Sequence, residues 1–266
     1  MKRLLVTIQR KESSKMEISG NAFSTLRGWS ILLALMVGSA FLPVRATAGS
    51  EEGIALAIVY DTSGSMKESV PAGPGKTAPK YVIANQALNA IVDRVSQYAT
   101  NTHSSTPRKI EVGLYVFREA GAAEAVKYGP FDPEAIQKWV KGFSKPNGAT
   151  PLGASIEVAS RAVLGSNLSR KHIVVITDGI NTSGPKPEAV LPGIRTAAEQ
   201  KNAGISFHFV AFDVDAKVFD PVKKLGATVL GAANEQQLNT QLEYIFERKI
   251  LLEDEEPKHP AAAQPK

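Results

Sequence analysis

The chain has 266 residues, 43% of them hydrophobic, with no cysteine and a formal net charge of +5. That content suffices for one sizeable core, and the lack of cysteine excludes disulfides as a source of its stability. The charge excess is not a nucleic-acid signal: residues 1 to 48 hold seven basic and two acidic residues, which leaves 24 of each in the remainder, whereas nucleic-acid binding needs a clustered basic face.

Lys2, Arg3, Arg10, Lys11, Lys15 and Arg27 precede the apolar run WSILLALMVGSAFL, residues 29 to 42. This run is shorter than the roughly 18 to 20 residues that span a bilayer, and Ala46-Thr47-Ala48 has the small-x-small form of a signal-peptidase site. The expectation is export with cleavage after Ala48; an uncleaved N-terminal membrane anchor is the alternative, and Met16 is a second candidate start. In either case residues 49 onward face the outside, in the periplasm or the extracellular space.

From residue 54 the pattern alternates between short strands and longer helical stretches. IALAIVY (54 to 60) is a continuous apolar run, as expected of a central strand covered on both faces. KYVIANQALNAIVDRVSQYA (80 to 99) places Val82, Ile83, Leu88, Ile91, Val92 and Val95 at helical spacing, and IEVGLYVF (110 to 117) returns to strand composition. Asp132 is placed to cap a second helix with Pro133 in its first turn. TPLGASIEVASRAVL (150 to 164) predicts a third helix, capped by Thr150 and stopped at Gly165. HIVVIT (172 to 177) is another apolar strand, followed by a helix from Pro187 that Pro192-Gly193 is expected to interrupt. ISFHFVAF (205 to 212), ATVLGA (227 to 232) and EQQLNTQLEYIFERKI (235 to 250) supply two more strands and a last helix. This alternation predicts an α/β fold with a doubly wound, mostly parallel central sheet and helices on both faces. Residues 253 to 266, acidic and then rich in Pro and Ala, read as a disordered tail. The organisation is a leader over 1 to 48, one domain over 49 to 252, and that tail.

In such sheets, ligands bind beyond the carboxyl ends of the strands. DTSGSM leaves the end of strand 54 to 60, TDG leaves strand 172 to 177, and NGATPLG (147 to 153) enters a helix from the same rim. Asp61, Ser63, Ser65, Thr150 and Asp178 thus offer two carboxylates and three hydroxyls, with no nitrogen or sulfur. An all-oxygen set suits a hard cation, Mg2+ above all, with Mn2+ or Ca2+ as alternatives. Two carboxylates only balance the ion's charge, so it would stay electrophilic toward an acidic group from outside.

These residues resemble the metal-ion-dependent adhesion site of von Willebrand factor type A domains: Asp-x-Ser-x-Ser in DTSGSM, then Thr150, then Asp178. The resemblance covers about residues 53 to 248. It implies that the two Ser and the Thr coordinate a cation, that the Asp residues bind it directly or through water, and that a protein partner's Asp or Glu carboxylate completes the shell. It also implies a binding domain and not an enzyme; a structural scaffold of an envelope assembly, or a metal-dependent hydrolase, are the competing readings. No GxSxG elbow or histidine pattern accompanies Ser63 and Ser65.

KESVPAGPGKTAPK (67 to 80) reads as a loop on the same rim, with Lys67, Glu68 and Lys76 as candidate partner contacts. Gly75-Lys76-Thr77 is not a phosphate loop, because Val70 stands where that motif needs glycine, so no nucleotide is expected. His103, His172, His208 and His259 lack metal-ligand spacing. Asn167 and Asn181 head N-glycosylation patterns, and Asp213 and Asp215 read as turn-forming acids near the rim.

Overall fold

A computed structural model of the protein describes residues 50 to 100, 108 to 119 and 121 to 252. The expected leader and the expected tail lie outside the described residues. Among the described residues no helix is long and apolar enough to cross a membrane.

In chain order the strands are β1 (Glu51–Tyr60), β2 (Ser69–Pro71), β3 (Thr77–Pro79), β4 (Ile110–Arg118), β5 (Gly121–Pro130), β6 (Leu168–Thr177), β7 (Ser206–Phe212) and β8 (Thr228–Ala232). The helices are α1 (Lys80–Thr100), α2 (Pro133–Gly142), α3 (Leu152–Gly165), α4 (Pro187–Glu199), α5 (Asp220–Lys224) and α6 (Glu235–Tyr244), the last running into a π-helical segment over Ile245–Leu251. Six strands form one sheet in the order β5-β4-β1-β6-β7-β8. Every neighbouring pair is parallel except β4 with β5. The mostly parallel doubly wound sheet read from the sequence is therefore present.

β1 and β6 sit at its centre, and their side chains alternate between two cores. Ile54, Leu56, Ile58 and Tyr60 pack with α1, α2 and α6 on one face, while Ala55, Ala57 and Val59 pack with α3, α4 and α5 on the other. Burial on both faces is why β1 is apolar throughout instead of alternating. Beneath the rim, Tyr60 meets Trp139 and Phe143 edge-on, at 5.4 and 5.9 Å between ring centroids. Its hydroxyl donates to Asn85 Oδ1 at 2.8 Å, which fixes the last residue before Asp61.

Three local expectations need correction, and β5 is a strand that the sequence pattern did not predict. β5 pairs antiparallel to β4 as an edge strand, and its run of small and half-buried residues carries little apolar signal. Pro192 lies inside α4 without interrupting it, because Leu191 and Ile194 are buried against the sheet and hold the helix through the lost hydrogen bond. The stretch after Lys67 is a small antiparallel hairpin, β2 with β3, anchored by buried Val70. Thr150 is not the cap of α3: Pro151 holds that position, and no side chain at it caps. Asp132 does cap α2, accepting from Ala135 N at 3.0 Å.

The amino end of α3 lies so close to the 184–186 segment that a β-carbon at Gly153 would stand 2.1 Å from the Pro185 carbonyl oxygen. Backbone cannot yield as a side chain does. Gly153→Ala is expected to lower stability by about 1 to 3 kcal/mol, the usual range for overpacking. Urea unfolding against wild type measures it; an unchanged midpoint would show that the approach is loose.

Candidate metal and partner-docking rim

Three loops meet at the carboxyl ends of β1 and β6. Asp61 follows β1 directly and is fully buried. Its Oδ1 accepts from Ser63 N at 2.7 Å and its Oδ2 from the Thr177 hydroxyl at 2.6 Å. Ser63 Oγ and Ser65 Oγ lie 3.1 Å apart, and Ser65 Oγ donates to Asp178 Oδ1 at 2.8 Å. Asp61, Ser63, Ser65 and Asp178 are thus brought together in one hydrogen-bonded chain.

Thr150 arrives by a different route. Asn147 N donates to Thr62 O at 2.7 Å and Gly64 N to Gly148 O at 3.1 Å, which staples its loop to the first. Gly148 has φ of 92°, a left-handed value that favours glycine, so the loop can turn there. Thr150 N donates to Thr182 Oγ1 at 2.8 Å, and Thr182 N donates back to Thr150 O at 3.0 Å. The Thr150 hydroxyl stands beside the Asp178-Gly179 turn, 3.7 Å from where a β-carbon on Gly179 would lie. Asn181 Oδ1 accepts from Gly153 N at 3.2 Å, serving the end of α3 that Thr150 was expected to cap. Asn181 is engaged inside the fold.

Beside this chain sits a residue that the motif did not contain. Lys80 opens α1 and is 2% exposed. Its Nζ lies 3.0 Å from Asp178 Oδ2, 3.0 Å from Asp213 Oδ2 and 2.8 Å from Glu68 Oε2. Burial disfavours the charged ammonium, but the three carboxylates outweigh it and hold the Lys80 pKa above its ordinary value. Glu68, a candidate partner contact, is drawn into this cluster, and the Lys80 hydrogen bond lowers its pKa. Lys67 and Lys76 are exposed. Asp213 is a rim residue, as its place after β7 suggested, but it is an ion-pair partner with φ of 56° and more than a turn former. Asp215 does form a turn, accepting from Lys217 N at 2.9 Å. A sequence signal for Lys80 existed: a cation in the first turn opposes the helix dipole, and such a residue calls for acidic partners.

His172 and His208 lie inside β6 and β7, buried and stacked, with Nδ1 and Nε2 3.4 Å apart. His172 is level with Leu56, about 16 Å below the rim at strand rise. Among the described residues no three His, Cys, Asp or Glu are grouped to hold a metal ion. A cation among Asp61, Ser63, Ser65, Thr150 and Asp178 would meet two carboxylates and three hydroxyls. The donor set fits that task, because Ser65 donates its hydrogen to Asp178, accepts from Ser63, and keeps one oxygen lone pair for an ion.

Comparison with known proteins identifies the fold. Residues 55–245 match the von Willebrand factor type A domain family. Among solved structures, the chain is similar to the PilB minor pilin from Streptococcus sanguinis at 16% identity and a TM-score of 0.57, covering 75% of this chain and 61% of the pilin. It is similar to proximal thread matrix protein 1 from the mussel byssus with a zinc-occupied adhesion motif, at 16% identity and a TM-score of 0.51, over 75% of this chain and 48% of that one. It also resembles the von Willebrand factor domain of the type V pili tip protein Mfa5 from Porphyromonas gingivalis, at 12% identity and a TM-score of 0.51, over 73% of this chain and 94% of that one. The chain spans less than two thirds of the pilin and byssus chains, and at these identities the likeness is one of fold. No curated protein sequence matches it.

The buried Asp61 titrates in a way that can be measured. Burial, with the Asp178 carboxylate nearby, pushes it from 3.8 up to about 6, against the hydrogen bonds from Ser63 and Thr177. The folded state then binds the proton more tightly than the unfolded chain, so this group's contribution falls as pH rises from about 4 to about 6. The loss is about 3 kcal/mol over that window. In chelator, stability of wild type relative to Asp61→Asn should decline across those pH values; parallel profiles would place Asp61 at its ordinary pKa.

Proposed function

The chain belongs to the von Willebrand factor type A domain family, and from that premise we propose an exported binding protein that docks an acidic group of a protein partner through a divalent cation. Asp61, Ser63, Ser65, Thr150 and Asp178 hold the ion, which is Mg2+ or, failing that, Mn2+ or Ca2+. The observation that carries this reading is the hydrogen-bonded chain linking Asp61, Ser63, Ser65 and Asp178, with Thr150 stapled beside it.

When bound, the cation supplies an electrophilic centre for an Asp or Glu carboxylate. The chain's own residues do the rest. Thr177 and the Ser63 amide orient Asp61, so its charge is aimed before any ion arrives. Asp178 accepts the Ser65 hydrogen bond, which leaves a lone pair of that hydroxyl for the ion. Lys67, at the end of the Gly64–Lys67 turn, and Lys76, in the turn of the β2–β3 hairpin, are exposed and would attract an acidic partner. Domains of this family commonly mediate protein binding or adhesion, and the pilin and pilus-tip likenesses favour an exported setting, in keeping with the leader over residues 1 to 48.

Catalysis has little support. Hydrolysis at a metal needs a general base within hydrogen-bond reach of the attacking water; the buried His172 and His208 lie well below the rim, and the rim carboxylates Glu68, Asp178 and Asp213 are ion-paired to Lys80. One observation favours a second reading, a scaffold whose rim works without metal: Lys80 already neutralises part of its acidic charge.

Titration calorimetry of Mn2+ and Mg2+ into the purified chain should show saturable binding that Asp61→Ala abolishes and Thr150→Ala weakens at least tenfold. Partner capture should be lost in chelator and restored by Mg2+. A partner retained in chelator would favour the scaffold, and metal binding unaffected by Asp61→Ala would remove these five residues from the site.

A further inference from the structure

Lys80 is the feature of the rim that the adhesion motif does not explain. Its ammonium has three hydrogens and meets three carboxylates, Glu68, Asp178 and Asp213, at 2.8, 3.0 and 3.0 Å. Each comes from a different loop, after β1, β6 and β7 respectively. The backbone joins in, because Lys80 N donates to Glu68 O at 2.8 Å. The Asp178 side chain is fully buried, whereas those of Glu68 and Asp213 are 68% and 40% exposed. Water screens the outer two acids, so Asp178 is the partner that feels the ammonium most.

Asp178 is also the carboxylate that holds Ser65. Its Oδ2 faces Lys80 and its Oδ1 accepts the Ser65 proton. An ion held by Ser65 and Asp178 therefore lies one carboxylate away from a fixed positive charge. Two opposed effects follow. The ammonium locks Asp178 in place, and it repels any divalent cation that Asp178 helps to hold.

Resting on the metal-dependent reading above, we propose that Lys80 is a positioning residue that acts as a built-in counter-ion of the cation site, weakening its intrinsic hold on a divalent ion. Without metal, Lys80 keeps the buried Asp178 paired, so the rim stays assembled when empty. With metal, the extra positive charge leaves the centre short of anionic ligands, and an incoming carboxylate relieves that deficit. Ion and acidic partner thus bind cooperatively: each is held weakly alone and tightly together.

The test compares wild type with Lys80→Met, Lys80→Gln and Lys80→Arg in the full chain, by Mn2+ titration calorimetry and by thermal unfolding with chelator and with Mn2+. Lys80→Met and Lys80→Gln should bind Mn2+ at least about tenfold more tightly, because a positive charge beside the ion is gone. They should unfold at lower temperature in chelator, with Mn2+ raising that temperature by more than it does in wild type. Lys80→Arg should stay near wild type, since the charge remains. Lys80→Gln retains a hydrogen-bond donor toward Asp178, so it serves if Lys80→Met does not fold. A merely structural lysine would lower stability in chelator without tightening Mn2+. Wild-type binding with unchanged or weaker affinity in Lys80→Gln therefore overturns this inference and leaves the metal site standing. Absence of Mn2+ binding in every form, wild type included, overturns both.

Discussion

The rim is organised around one shared carboxylate. Asp178 accepts a hydrogen bond from Ser65 on one oxygen and pairs with the Lys80 ammonium on the other, and through them it ties the ends of β1 and β6 and the start of α1 into one unit. Burial raises the Asp61 pKa, and the charge of the nearby Asp178 raises it further. Two buried carboxylates side by side repel, and burial makes that repulsion costly. The lysine meets part of that cost from inside the fold, and a cation from solution would meet the rest.

The parallel sheet makes this convergence possible. Parallel neighbours deliver their carboxyl ends to one edge, so residues 61, 178 and 213 emerge side by side although long stretches of chain separate them. The two cores then fix the strand ends. Tyr60 is clamped among Trp139, Phe143 and Asn85 on one face, and α3 is pressed onto the 184–186 segment on the other. A loop that carries small polar residues above such anchors can be short and still be ordered.

Under the proposed reading, three hydroxyls and two carboxylates would form a weak trap by comparison with a cage of four acids, and weakness is what a docking site needs. An ion held by mostly neutral oxygens keeps positive charge to offer. The Lys80 ammonium pushes in the same direction. Under the proposed reading, exposed Lys67 before β2 and Lys76 between β2 and β3 would add a longer-range attraction for acidic partners.

Much of this was legible in the sequence. The unbroken apolar runs of β1, β6 and β7 determine central strands, since water-free surroundings on both faces leave no place for polar side chains. The order Asp-x-Ser-x-Ser, Thr, Asp at strand ends singled out five residues, of which the fold links Asp61, Ser63, Ser65 and Asp178 in one hydrogen-bonded chain. Local reading failed where long-range packing governs: β5 is an edge strand with little apolar character, Pro192 is carried within α4 by buried neighbours, and the end of α3 is served by Asn181 instead of Thr150. The tertiary structure alone decided that Lys80, Glu68 and Asp213 join Asp178. The physical reason is that an ion pair depends on distance in space, and the pairing partners lie 12, 98 and 133 positions apart in a chain whose local patterns report only on helix, strand and turn.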